Sequence, residues 1–256
     1  MAVGLEIHPT VCEIESRHMK TLVLSDIHSN IYALEAIWRK EHDSDRILCA
    51  GDLVDYGPFP REVLAWVGSH DVLCVQGNHD AWLAFNYRQG NTLENVPEAE
   101  RAWVNLNAGL VNEDEIQFLE RLPKARTIDL DGITYGLTHM YRDYNEIVSL
   151  FAYDQFIAEA FDRAAPGGMS RLIMGHTHRQ SVRYLADDRL WLNPGSVSYR
   201  REDDPDPAAH YAVIADGKIS LRRLEYDRTP LYHFVQKIRL NESEMRVARF
   251  FFGPRD

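Results

Sequence analysis

"RILCAGDLVDYGPFPREVLAWV", residues 46–67, is the stretch on which the fold turns. It begins as a short apolar, β-rich run of the kind found in strands covered on both faces. Gly51 and Asp52 end the run, a loop containing glycine and proline follows, and "REVLAWV" (61–67) reads as a helix. A strand, a loop and a helix in that order form one half of a βαβ unit.

The same signature recurs on both sides. "TLVLS" (21–25) precedes Ile31, Leu34, Ile37 and Trp38 at helical spacing, and "DVLCV" (71–75) is a third strand-like run. Such alternation builds a parallel sheet. From 97 to 122 the chain reads as helical, with Asn112 and Glu115 at capping-box spacing. "ARTIDL" and "ITYGLTH" then flank Asp131-Gly132, a hairpin signal. Tyr153, Ile157, Ala160, Phe161 and Ala164 mark an amphipathic helix, and "RLIMG", "SVRYLA", "RLWLN", "HYAVIA" and "KISLRRL" follow as short strands. A largely parallel first half and a hairpin-rich second half predict an α/β protein: a four-layer α/β/β/α sandwich of two mixed β-sheets flanked by helices. The acidic loop "REDDPDPAAH" (201–210) reads as a solvated excursion, and the tail from about Thr229 as helical, with "RFFF" (249–252) packing back on the core.

Residues 1–18 lack the basic start and apolar centre of a secretory signal, and Met19 is followed at once by a strand. We therefore expect a dispensable leader over 1–18 and a single domain over 19–256. Composition fits an ordinary globular protein: 256 residues, 45% hydrophobic and 26% charged. The net charge of -11 gives no strong nucleic-acid signal and no attraction to anionic membrane. No apolar run is long enough to span a bilayer. Cys12, Cys49 and Cys74 form no C-x-x-C, which points to free thiols and a cytoplasmic location.

Residues of metal-binding type fall at the strand ends. Asp26 and His28 follow the first strand, Asp52 the second, and Asn78, His79 and Asp80 the third. His139 closes a later strand, and His176 and His178 another. In open α/β sheets ligands bind at the carboxyl ends of strands, so these loops converge. In extended backbone, residues i and i+2 face one way, which aims Asp26 with His28, and His176 with His178, at common points. Gly51, Gly77 and Gly175 allow close backbone approach. Any one pair is also what a strand running out into solvent would show; five blocks at successive strand ends are a site.

These blocks resemble those of the calcineurin-like metallophosphoesterases: D-x-H, G-D, G-N-H-D/E, a lone H, and G-H-x-H, in order from Asp26 to His178, with "LNPGSV" (192–197) extending the likeness. The resemblance implies the sandwich fold and a dinuclear centre of two divalent transition-metal ions (Mn, Fe, Zn, Co or Ni, with Mn favoured). Asp26, His28, Asp52 and His178 would hold one ion, and Asp52, Asn78, His139 and His176 the other. A metal-bridging hydroxide would attack the phosphorus in line. His79 would be the catalytic residue, as general acid for the leaving group or as a hydrogen-bond donor to the phosphate, oriented by Asp80, with Asn30 and Asp55 lining the rim.

The chain also departs from that family. Tyr56 stands where the protein-phosphatase branch has a phosphate-clamping arginine, so "GDLVDYGPFPREV" is more similar to the compact bacterial-type phosphodiesterases. Met140, rather than a small residue, follows His139. Arg179, and with it Arg183, Arg200 and Arg201, could grip a substrate phosphate, or else pair with the acids of 202–206. Tyr56, Phe59, Trp82 and Phe85 could stack a base, although aromatics at such positions are more often core. The expected substrate is a small phosphate ester or nucleotide, most simply a phosphodiester. The alternatives are a phosphomonoesterase or dinucleoside polyphosphate hydrolase, and a non-catalytic protein-binding scaffold, against which the presence of His79 argues.

Overall fold

The structure is a computed structural model and describes residues 19–90, 101–143, 145–161, 169–198, 201, 203, 206–238 and 240–253. The leader at 1–18, Cys12, Ala164 and Arg200 lie outside the described residues.

Three strands open the chain, β1 (Thr21–Leu24), β2 (Arg46–Cys49) and β3 (Leu73–Cys74), and they pair in parallel. Helices α1 (Ile31–Glu41) and α2 (Pro60–Ser69) connect them, and α3 (Asn78–Arg88) follows β3. The Asn30 side chain caps α1 by accepting from Ala33 N at 3.0 Å, and proline stands at the start of α2, where its missing N–H costs nothing. The stretch read as one helical region divides into α4 (Arg101–Leu110) and α5 (Glu113–Arg121). The division falls at Asn112, whose capping box with Glu115 starts α5.

The second sheet is built from β4 (Ala125–Leu130), β5 (Ile133–Thr138), β6 (Arg171–Ile173), β7 (Ser181–Tyr184) and β8 (Leu190–Asn193), with α6 (Leu150–Ala160) between β5 and β6. Its order is β4-β5-β6-β8-β7. The hairpin of β9 (Ala209–Ala215) and β10 (Lys218–Leu224) does not join this sheet, contrary to a division of the chain into halves. It returns to the first, giving the order β10-β9-β1-β2-β3, with β9 antiparallel to β1. The physical reason is that β1 needs a neighbour on each side, and β9 is apolar enough to be covered on both faces.

Strand alternation sorts the core into layers. On β1, Leu22 and Leu24 pack with α1 and α2 residues such as Leu34, Ile37 and Val63, while Val23 faces the second sheet with Leu48, Leu137, Ile173 and Leu192. The outer face of the second sheet packs Leu172 and Trp191 against Tyr153, Phe156 and Ile157 of α6. Three apolar seams therefore separate four layers. At the C-terminal end, α7 (Thr229–Val235) and α8 (Glu242–Phe252) bury Phe251 and Phe252 around Trp103. No helix among the described residues is long and apolar enough to cross a membrane.

β1, β2 and β3 run one way, and β5 and β6 are parallel to each other. The loops leaving their carboxyl ends, together with the first turn of α3 after β3, carry every metal-type residue singled out above.

Candidate metal centre

The loops after β1 and β2 run side by side beyond the strands: Asp26 N–H donates to Gly51 O (3.0 Å), His28 N–H to Asp52 O (3.1 Å) and Ser29 N–H to Leu53 O (2.9 Å). His176 N–H, from the loop after β6, donates to the Asp26 carboxylate, and Gly175 N–H to His139 O at 2.9 Å. Contact this close requires glycine: a Cβ at Gly77 would overlap Asp52 Oδ1, and one at Gly175 would overlap Ser25 Oγ.

Simple strand alternation does not aim the paired donors. Asp26, His28, Asp52, His176 and His178 all have left-handed backbone, with φ of 53°, 47°, 56°, 66° and 54°. Each strand has ended before its donors, and they are directed by tight turns instead. Left-handed backbone in non-glycine residues is uncommon and costs energy, and it gathers where a site dictates side-chain direction.

Two groups of donor atoms result, each close enough to hold one cation: Asp26, His28, Asp52 and His178, and then Asp52, His139 and His176. Asp52 belongs to both. His178 Nε2 is 3.1 Å from Asp26 Oδ1 and 3.3 Å from His28 Nε2, and His139 Nε2 is 3.1 Å from Asp52 Oδ2 and 3.0 Å from Asn78 Oδ1. The donor set fits a cation because its lone pairs face one another. His139 Nδ1 lies 2.6 Å from Ala50 O and His28 Nδ1 3.3 Å from Val54 O, contacts in which each ring donates. That tautomer leaves both Nε2 atoms as acceptors turned toward oxygen and nitrogen acceptors. Asp52 Oδ2 is buried, with His139 Nε2 as its close neighbour.

Protonation reflects the same frustration. Burial pushes His28 down to about 3. Burial, then His139, takes His176 down to about 4. Burial also opposes charge on His139, but Asp52 overrides it and holds the ring up to about 10. For Asp52 itself burial opposes ionisation, yet the imidazoles of His139 and His79 keep the carboxyl well below its usual range. A proton on His139 thus does imperfectly what a metal cation would do better.

His79 N–H donates to Asp52 Oδ1 at 2.9 Å, and its ring pairs through Nδ1 with Asp55 Oδ2 at 2.8 Å. Asp55, not Asp80, therefore orients His79. Asp80 is committed elsewhere: its two oxygens accept the backbone N–H groups of Asp52 (3.0 Å), Leu53 (2.8 Å), Val54 (3.3 Å) and Gly77 (2.9 Å). It sits in the first turn of α3 and ties that helix to the loop after β2. Burial, followed by repulsion from Asp52, pushes its carboxyl up to about 6. Asn30 does not reach the donor groups; besides capping α1, its amide donates to Ser198 Oγ and Tyr226 Oη.

A cleft of about 680 Å³ opens over the donors, lined by Asp52, His79, His176 and His178 and by Tyr56, Glu146, Thr177, Arg179, Arg201 and Asp203. Tyr56 packs its ring 5.0 Å from His28 and 4.7 Å from His79. Arg179 and Arg201 both pair with Asp203, so these arginines meet the acidic loop rather than the donors. Arg183 lies 3.7 Å from Glu146.

Two supports escaped the sequence reading. Asn107 is fully buried on α4, accepts from Ser29 Oγ (2.7 Å) and Asp55 N–H (3.1 Å), and donates to Gly57 O (2.9 Å), joining the loops after β1 and β2. Its one sequence signal is a polar residue on the stripe shared by Val104 and Ala108. Asn193, inside "LNPGSV", donates to Gly175 O (2.7 Å) and Thr177 Oγ1 (3.0 Å) and so braces the turn between His176 and His178.

Comparison with known proteins places the chain in a family. Residues 19–216 match the family model of the calcineurin-like phosphoesterase superfamily domain. The chain is 27% identical over 249 residues to the uncharacterized protein MJ0912 of Methanocaldococcus jannaschii, covering 90% of this chain and 97% of that one. Among solved structures it is similar to a metallophosphoesterase from Sphaerobacter thermophilus, with 25% identity, a TM-score of 0.67, and coverage of 93% of this chain and 100% of that one. The fold also matches the hypothetical protein PH1004 from Pyrococcus horikoshii, with a TM-score of 0.72 at 16% identity and the same coverage.

Proposed function

This chain belongs to the calcineurin-like phosphoesterase superfamily, and from that premise we propose that it is a phosphodiesterase working with two transition-metal ions. Asp26, His28, Asp52 and His178 would hold one ion, and Asp52, Asn78, His139 and His176 the other. The observation that carries this reading is Asp52 Oδ2: buried, and reached by Nε2 of His139 (3.1 Å) from one group and of His28 (3.9 Å) from the other. Bound there, two such ions supply Lewis acidity toward a phosphoryl group and lower the pKa of water. Mixed imidazole and oxygen donors suit Mn, Fe, Co, Ni or Zn.

The chain's own contribution centres on His79. Asp55 accepts its Nδ1–H and stabilises the imidazolium, which leaves the Nε2 proton for the departing oxygen. Charge is compatible with a monoanionic diester: the roughly two formal metal charges that Asp26 and Asp52 leave unbalanced are met by one hydroxide and one diester anion, as they would be by a dianionic monoester. The rim tips the choice toward the diester, because Asp203 already pairs with Arg179 and Arg201, the cations that would grip a second phosphate charge.

The test starts from metal-stripped protein reloaded with Mn²⁺. About two ions per chain should bind, and both bis-p-nitrophenyl phosphate and a dinucleoside monophosphate should be cleaved. His79→Ala should keep its metal and lose on the order of 10²-fold in turnover of the alkyl-leaving dinucleotide. The loss on bis-p-nitrophenyl phosphate should be smaller, since nitrophenolate departs without a proton. Equal losses on both substrates would overturn the role of His79, and failure to bind metal would overturn the site.

A further inference from the structure

His79 stands in the first turn of α3, and Trp82 and Phe85 follow at three-residue intervals. Residues three apart are neighbours on a helix surface, so each ring adjoins the next and the row winds around α3 away from the donors. Trp82 packs edge-on against His79, with ring centroids 4.9 Å apart and planes at 65°.

Both residues beyond His79 face solvent, Trp82 at 42% exposure and Phe85 at 56%. They are not core, contrary to the reading that position alone favours. The core face of α3 is filled by Leu83 and Ala84, which are buried. One exposed aromatic is ordinary on a protein surface, but two in register with a candidate general acid are a surface of defined shape beside the chemistry.

We propose that Trp82 and Phe85 form a stacking platform for a nucleobase carried on the leaving alcohol of the substrate. This rests on the role of His79 given above: a group that protonates the leaving oxygen faces the leaving alcohol, and the ring next to it meets whatever that alcohol carries. A nucleoside is the class of alcohol with a flat face that indole and phenyl rings accept without regard to base identity. The platform sets which diesters are preferred and takes no part in bond cleavage.

Binding separates this from turnover. On Mn²⁺-loaded protein, the 5′-methylenephosphonate of adenosine, which has no ester to cleave, is compared by calorimetry with the same phosphonate on bare ribose. The adenosine compound should bind roughly tenfold tighter, as stacking on one aromatic residue supports. Trp82→Ala should bring the ratio to within about twofold, Trp82→Phe should restore part of it, and Phe85→Ala should reduce it by a smaller factor. Equal affinities in the wild type, or a ratio that survives Trp82→Ala, would overturn the platform. So would light scattering showing a dimer that Trp82→Ala dissociates, because a second copy would then cover the row. Protein that shows the ratio but hydrolyses no ester counts against the proposed function alone, whereas an active diesterase without the ratio counts against the platform alone.

Discussion

The loops after β1, β2 and β3 supply both carboxylates, Asp26 and Asp52, and bury them completely or nearly so, whereas those after β5 and β6 supply imidazoles alone, with His176 and His178 left partly exposed. The supports differ in the same way. On the first side Asp80 gathers four backbone N–H groups and Asn107 links two loops, all out of contact with water. On the second, Asn193 braces the turn beneath, and above it Arg201 donates to Thr177 O from a rim open to solvent. The carboxylate side of the centre is thus closed off throughout, while the other opens to solvent at His176 and His178. A buried carboxylate is costly unless firmly supported, while the partly exposed rings of His176 and His178 tolerate a looser mounting.

The comparison can be broken at several points. Asp52→Asn removes the charge shared by the two donor groups while keeping the shape, and on the proposed reading should cost on the order of 10³-fold in turnover. Elemental analysis should then find less than one ion per chain; two retained ions would show that the buried carboxylate is not the hinge of the centre. Asp80→Ala strands several backbone donors and should destabilise the fold by about 3 kcal/mol, read as a lower thermal midpoint. Asn193→Ala should cost only about 1 kcal/mol while weakening metal affinity about tenfold. If calorimetry put the cost of Asn193→Ala level with that of Asp80→Ala, the contrast between the two sides would be wrong. Arg179→Ala is the smallest step. Its exposed pair with Asp203 is weakened by solvent, so diester hydrolysis should change less than about fivefold, and a larger loss would move Arg179 from rim to site.

Much of this was legible in the chain. β1, β2 and the Asp131-Gly132 hairpin announce themselves by composition and turn chemistry, and Asn112 with Glu115 marks the start of α5. The donors were legible because each falls where an apolar run stops. Three features were not. The return of β9 and β10 to the first sheet is a choice of edge, and alternation within a strand carries no information about its neighbour. The orientation of His79 by Asp55 depends on a long-range contact, and the adjacent Asp80 is the nearer guess in sequence but is saturated by backbone. Asn107 looks like any helix residue until its hydrogen bonds to Ser29, Asp55 and Gly57 are traced. Trp82 and Phe85 show the limit from the other direction, since hydrophobicity predicted burial and the face of α3 decided against it.

The left-handed turns that carry Asp26, His28, Asp52, His176 and His178 also bear on how the centre can be altered. Aspartate, asparagine and histidine enter that backbone region more readily than other residues bearing a side chain, and β-branched residues do so only under strain. The turns therefore act as a filter on donor chemistry, admitting the oxygen and imidazole donors of the candidate centre and resisting longer or branched replacements before any metal is considered. Retuning the centre toward a softer ion by exchanging one donor at a time would work against the main chain, so a redesign has to rebuild the turn together with its ligand.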